Sequence, residues 1–498
     1  SVVREEVSLR DQTSSIDQRP WWGRVRRWGP AFLAAVVVRL AYWAIVLPRW
    51  TPVSDADQYD KIARSLADGT GYGLQFPQIV HHPTAFRPPL LPLLLTPGHW
   101  LFGEALWPGR LLNVVLGSLV VVLAGVLATR VGGRRSGHLA ALIVMFSPPL
   151  LANDTITLTE PLALLLGLAA ILLLDEGRYL QTGLATGLLL LTRPNGYLVV
   201  AILALWAWRK VGPRAAVGLV TVAACVLAPW LVRNRVQLGT WTLNTSDGFT
   251  LAAIYAPPSQ AAGFFTDPVL SPAFNNDEEV RLSQFNEGGW NALLTDRAIA
   301  GLRANPAYVP QVVLSNVPAF FELDPNAAIH AQRIDGRRLG LLPLTRPILH
   351  LTTVLGLVGL SRYWRDHCVR VIAAITAQYV VLSLLLVASP RLRAPFDLAC
   401  AIGVSLLLGW LADRRRPGDR ALAQRDHLGL RRGSGHLDGR PAEVTGILAV
   451  GVASGALIPL LPGGVPGAKD AGCVAEGGEA AGTGARGAAD QHRAGQIG

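Results

Sequence analysis

Residues 111–128 read LLNVVLGSLVVVLAGVLA, eighteen positions without a charged side chain. A run of that length crosses a hydrocarbon core of roughly 30 Å as a helix, because in lipid each backbone N–H and C=O has to be satisfied within the protein. Comparable runs recur along the first 412 residues, so the chain is constrained to a bundle of spanning helices that cover one another's faces. The runs are too long for barrel strands, which excludes a membrane barrel. Composition agrees: of 498 residues only 16% are charged and 51% are hydrophobic, whereas ordinary soluble domains carry about 25% charged residues.

The expected fold class is therefore an all-α polytopic membrane protein. Ten spans are expected, at about 30–48, 108–129, 139–152, 158–174, 180–191, 197–208, 215–232, 341–360, 371–388 and 398–412. Basic residues gather on the cytoplasmic side of a membrane protein in its short loops. Here they fill every second loop: Arg130, Arg134 and Arg135; Arg178; Arg209, Lys210 and Arg214; Arg362, Arg365 and Arg370; Arg414 to Arg416. These loops share the side of the N-terminus, so the stretch after the first span lies outside. The net charge of +11 thus reads as a topology signal rather than a nucleic-acid surface, and no nucleic-acid partner is expected.

The first apolar run follows Arg24, Arg26 and Arg27 and has no small-residue cleavage site after it, so it is expected to be a retained span rather than a cleaved signal. The four cysteines, Cys225, Cys368, Cys400 and Cys473, show no paired spacing, and neither a disulfide nor a zinc site is expected. Residues 1–29 form a cytoplasmic segment and 30–412 the transmembrane domain, with two long outer loops at 49–107 and 233–340. From 413 to 498 a Gly/Ala/Arg-rich composition reads as a flexible cytoplasmic tail, in which 445–462 is a borderline eleventh span.

Ionisable groups near a membrane are costly unless they serve a path or a site, which makes the outer ones informative. VSDADQYDKIARSLADGTGYG, residues 53–73, sets Asp55 and Asp57 just outside the first span. Tyr59, Ile62, Ala63 and Leu66 fall on one face of a helix, with Asp60, Lys61 and Arg64 opposite, and Gly69 ends it. The two acids fit either a helix cap favoured by the helix dipole or a general base at the interface, and the sequence leaves both open. Asp154 and Glu160 follow in a short outer loop, Glu160 far enough into an apolar run to need a partner. Arginines stand outside against the loop rule: Arg193, Arg233, Arg235, Arg391 and Arg393. Singly each reads as a residue reaching for lipid phosphates. Together, beside the acids, they point to a site for an anionic group, and a phosphate fits the guanidinium fork.

The ordered set SDADQYDKIARSLADGTGYG, RPPLLPLLL, NDTITLTEPLALLL, LLLLTRPNGYL, APWLVRNRVQLGTWTLNTSDGF and SPRLRAPFDLA resembles the signatures of bacterial GT-C glycosyltransferases of the glycosyltransferase 39 type. That group includes protein O-mannosyltransferases and lipid A aminoarabinose transferases. The resemblance implies a GT-C transmembrane helix bundle, a polyprenyl-phosphate-linked sugar donor, and inverting transfer to a lipid, glycan or protein acceptor on the outer face of the bacterial cytoplasmic membrane. It places Asp55 at the catalytic acid, Asp57 beside it, Glu160 at the acid of TEPL, Arg391 and Arg393 at a basic pair, and Arg87 at the basic position of RPPLLP. Arg193 and Arg233 join these as candidate donor-phosphate ligands. Leu392 departs from the usual aromatic, and the tail after 413 is unrelated.

Such a transfer needs a base for the acceptor hydroxyl and fixed positive charge at the departing phosphate. The polyprenyl chain would lie in a groove between spans. A divalent metal is left open, with Asp57, Glu160, His81 and His82 as candidate ligands. The rival readings are a transporter or flippase of a lipid-linked or anionic solute, disfavoured by charges that collect at one face rather than the midplane, and a non-catalytic membrane assembly protein.

Overall fold

The computed structural model describes residues 26–76, 81–263, 265–275, 279, 286–324 and 337–414. The expected N-terminal segment up to residue 25, the tail from 415 and its apolar patch lie outside them. Among the described residues the protein is helical, apart from one two-stranded antiparallel pairing.

Six helical stretches are long and apolar enough to cross a membrane: Gly29–Val46 (α1), Trp107–Met145 (α4), Pro213–Leu238 (α9), Leu342–Arg362 (α15), His367–Leu385 (α16) and Pro390–Arg414. The last is a 3-10 turn, Pro390–Arg393, running into Ala394–Arg414 (α17). The all-α, multi-span class expected from the apolar runs is the class observed, but the ten expected runs do not become ten long helices. Span 139–152 is shared between the end of α4 and a six-residue helix, Pro148–Asn153 (α5). Those at 158–174, 180–191 and 197–208 form Glu160–Asp175 (α6), Tyr179–Leu190 (α7) and Tyr197–Lys210 (α8), each under eighteen residues.

Position in the bundle follows from what each helix hides. α4, α6 and α17 are buried over most of their length and form the centre, with Val121, Leu127, Leu162, Leu166 and Leu406 in one apolar core. α1, α9 and α15 leave Val37, Ile45, Val217, Val236, Leu351 and Val354 exposed, an apolar surface suited to lipid rather than water. α4 breaks at Gly133, whose φ of 82° belongs to the left-handed region that glycine enters without a Cβ clash. The break falls in the basic RVGGRRSG stretch, where two spans were expected to turn.

α15 and α17 pack along Gly356, Gly359 and Gly403. A Cβ on Gly359 would overlap the Gly403 carbonyl, so small residues set how closely these helices approach. In the first of the two long connecting segments, Asp55–Ala67 (α2) lies against Leu90–Phe102 (α3). Between them Gly73–Leu74 (β1) pairs with His82–Pro83 (β2), in the register Gly73 to Pro83 and Leu74 to His82. The second loop contributes Asp247–Tyr255 (α10), Pro257–Ala262 (α11), Pro272–Asn275 (α12), Glu287–Ala304 (α13) and Tyr308–Phe320 (α14).

Candidate functional site

α2 starts from a strained residue. Ser54 has φ 56° and is, with Glu322, one of two non-glycine residues with positive φ among the described residues. Its side chain caps nothing. Asp55 follows as the first helical residue, 2% exposed, and its carboxylate is taken by arginines from elsewhere in the chain. Arg391 donates from Nη2 to Oδ2 at 2.7 Å, and Arg87 pairs with Oδ1. The cap reading of Asp55 therefore gives way to a buried acid between two guanidinium groups.

Each arginine is held in turn. Arg87 donates from Nε to Gln58 Oε1 at 2.6 Å, and its backbone carbonyl accepts from the Tyr72 hydroxyl at 2.9 Å. The segment that carries it is braced by Glu287 of α13, which accepts from Ala85 N at 2.7 Å, from the Thr245 hydroxyl, and bonds His82 Nε2 at 3.1 Å. Arg391 is delivered by the Pro390–Arg393 turn, whose Pro390 carbonyl accepts from Arg337 at 3.2 Å.

A second buried pair lies nearby. Glu160, the first residue of α6, pairs with Arg193, whose Nε also donates to Thr159 Oγ1 at 2.5 Å. The loop before Glu160 is fastened from α4 and α1: Arg110 donates to Thr155 O at 2.9 Å, Asn113 to Leu158 O at 2.8 Å, and Arg39 grips Asp154 Oδ2 at 2.6 and 2.9 Å. Tyr59, one turn past Asp55, feels both pairs. Burial pushes its hydroxyl up to about 12, opposed by Arg87 and Arg193 and reinforced by Asp55 and Glu160. An apolar crevice runs down the bundle from this level, lined by Leu164, Leu168, Leu189, Val199, Tyr379 and Leu398. Leu164 is one helical turn past Glu160.

Five of the eight candidate catalytic and phosphate-binding residues thus stand in two buried groups: Asp55 with Arg87 and Arg391, and Glu160 with Arg193. The other three are engaged elsewhere. Asp57 is at the surface, paired with Lys61 at 2.8 Å. Arg233 donates to the Thr84 and Tyr72 carbonyls at 2.6 and 2.7 Å and stacks on Trp230 and Tyr72. Arg393 is tied to Asp397 at 2.8 Å and to the Phe320 carbonyl at 2.7 Å. Gln58, Tyr59 and Glu287 were not singled out. Gln58 and Tyr59 fall three and four positions after Asp55, on its face of a helix, a signal the apolar reading of Tyr59 hid. Glu287 carries no local signal.

The candidate metal ligands do not converge. Glu160 faces Arg193, Asp57 faces Lys61, His81 bonds Ser65 Oγ at 2.8 Å, and His82 faces Glu287. Asp175, His367 and Cys368 do come together, between the end of α6 and the start of α16. There Asp175 is already paired, with Arg130 at 2.8 Å and with His367 Nε2 at 2.6 Å.

Fold and site together define a class: a multi-span helical membrane protein with a buried acid and arginine cluster at the head of an apolar crevice. Residues 52–228 match the family model described as dolichyl-phosphate-mannose-protein mannosyltransferase, which bears out the glycosyltransferase 39 resemblance over that stretch. No curated protein matches the chain. The crystal structure of the Archaeoglobus fulgidus oligosaccharyltransferase in complex with Zn and sulfate is similar at 15% identity and a TM-score of 0.45, over 80% of this chain and 50% of that one. The chain thus spans about half the length of that protein. ArnT from Cupriavidus metallidurans bound to undecaprenyl phosphate is similar at 15% identity and a TM-score of 0.35, over 75% and 76%.

Proposed function

We propose that the protein is a membrane glycosyltransferase that moves a sugar from a polyprenyl-phosphate donor to an acceptor hydroxyl of a lipid, glycan or protein, with inversion, at the outer face of the bacterial cytoplasmic membrane. The observation that carries this reading is the buried Asp55 carboxylate held between Arg87 and Arg391, beside a crevice of lipid-like character. A polyprenyl phosphate matches both parts: an anion for the guanidinium groups and an apolar chain for the crevice. The match of residues 52–228 to a family described by a lipid-phosphate sugar agrees with it.

Both arginines pair with Asp55 in the structure. A donor phosphate offers the same guanidinium groups a second anion, and as they turn to it Asp55 is left to accept a proton. The acceptor oxygen then attacks the anomeric carbon. Its O–H bond breaks toward Asp55, the carbon–oxygen bond to phosphate breaks, and polyprenyl phosphate leaves against Arg391 and Arg87. Fixed cations in a partly dry cleft stabilise that leaving group more than water does.

The test is transfer from a radiolabelled polyprenyl-phosphate sugar to candidate acceptors by purified protein, wild type against Asp55→Asn. The variant should lose roughly 10²- to 10⁴-fold in rate, the usual worth of a positioned base. Equal transfer by the variant removes Asp55 as the base. No transfer by wild type from any such donor moves the protein to the transporter class.

A further inference from the structure

Tyr59 is 1% exposed, and its hydroxyl makes no hydrogen bond among the described residues. Its ring lies 5.8 Å from the Arg87 guanidinium, and both buried pairs act electrostatically on its oxygen. Glu160 is in a matching state. One of its oxygens is held by Arg193, while Oε2 is buried without a hydrogen-bond partner among the described residues. Buried polar atoms are nearly always matched, so two unmatched ones beside a charged cluster mark a place built for a polar occupant.

The chemistry of the two atoms narrows that occupant. An ionised carboxylate oxygen only accepts, so its partner brings a donor; a phenol both gives and accepts. A phosphate offers acceptors alone and would be repelled by Glu160. A hydroxyl suits the hydrogen-bonding of either atom, and in a polyprenyl-phosphate sugar the hydroxyls are on the sugar. We propose that Tyr59 and Glu160 form a subsite that reads a hydroxyl of the transferred sugar, which makes Tyr59 a specificity-determining residue; the proposal rests on the transferase reading above.

Tyr59→Phe removes one oxygen and keeps the ring. Since that oxygen has no partner among the described residues, the variant should melt at the wild-type temperature or above it, and should bind bare undecaprenyl phosphate unchanged. Its kcat/KM should fall about tenfold, the worth of one hydrogen bond, with whichever of polyprenyl-phosphate mannose, arabinose or aminoarabinose the wild type turns over fastest. Monodeoxy versions of that donor locate the hydroxyl: one of them should cost the wild type about the same tenfold and cost the variant nothing further. Unchanged transfer by the variant, or equal sensitivity of both proteins to every deoxy donor, overturns the subsite and leaves the transferase reading intact. Weakened undecaprenyl phosphate binding would move Tyr59 to the phosphate, and a lowered melting temperature would make it structural; either overturns the proposal. A wild type that transfers from none of the three donors overturns the transferase reading and the subsite with it.

Discussion

Arg391 and Arg393 sit two positions apart in one 3-10 turn, and their guanidinium groups leave it in different directions, one to Asp55 and the other to Asp397 and the Phe320 carbonyl. Different losses follow. Arg391→Ala leaves Asp55 with Arg87 as its partner and should raise the KM for donor more than that for acceptor. Arg393→Ala leaves Asp397 buried without its cation and should cost about 3–5 kcal/mol of stability, seen as a lower melting temperature in detergent. The reverse pattern would sink the phosphate assignment of Arg391. A phosphate-binding pair was the natural reading of SPRLR, because sequence spacing says which residues are outside and basic but not where each side chain turns. The partner of Arg393 is only four residues away, and a pair at that spacing is readable on a helix. Arg233 lies apart from them for a different reason: its partners are backbone carbonyls of Thr84 and Tyr72, and carbonyls have no sequence signature. That Asp55 meets arginines was suggested by the acids and arginines expected on one side, but not which arginines they would be.

Elements hold that acid in place through contacts that respond to pH. His99 of α3 lies against Asp60 of α2 at 3.0 Å through Nε2 and against the Gly103 carbonyl at 2.8 Å through Nδ1. With an acceptor at each nitrogen the doubly protonated ring is favoured, and its affinity for the proton is raised above the ordinary histidine value, chiefly by Asp60. A raised folded-state value means that this stabilisation is fully present below the unfolded value of about 6.5 and is lost as pH rises through the higher folded one. Stability should therefore decline across that window above 6.5. His99→Gln should flatten the decline and cost about 1–3 kcal/mol at pH 6, measured by melting temperature against pH; a variant with the wild-type slope would remove His99 as its source. The end of α2 near Gly69 and the break at Gly133 were both readable, since positive φ leaves a glycine signature. The lengths of α6, α7 and α8 were not. A helix covered by other helices is free to stop short where protein satisfies its end, and an apolar run does not say what covers it.

At the scale of the whole molecule, the alternating basic loops make an orientation testable. In a chain whose four cysteines are replaced by serine, Asp57→Cys should react with a membrane-impermeant maleimide in intact cells, and Arg209→Cys only after permeabilisation. The opposite labelling would turn the protein over and move the proposed site to the other face. The bundle was legible because hydropathy is a property of the local chain. Which side chains meet was less so, because Asp55 and Arg391 are 336 residues apart. That separation has a consequence for synthesis. A membrane protein enters the bilayer from its N-terminus, so α2 and its acid emerge first, and Arg391 arrives with the last of the described helices. Until then the pair does not exist, and neither does the anion site proposed for it. A partly made chain thus lacks the seat proposed for an activated lipid, and synthesis of α17 becomes the step that brings that centre into being.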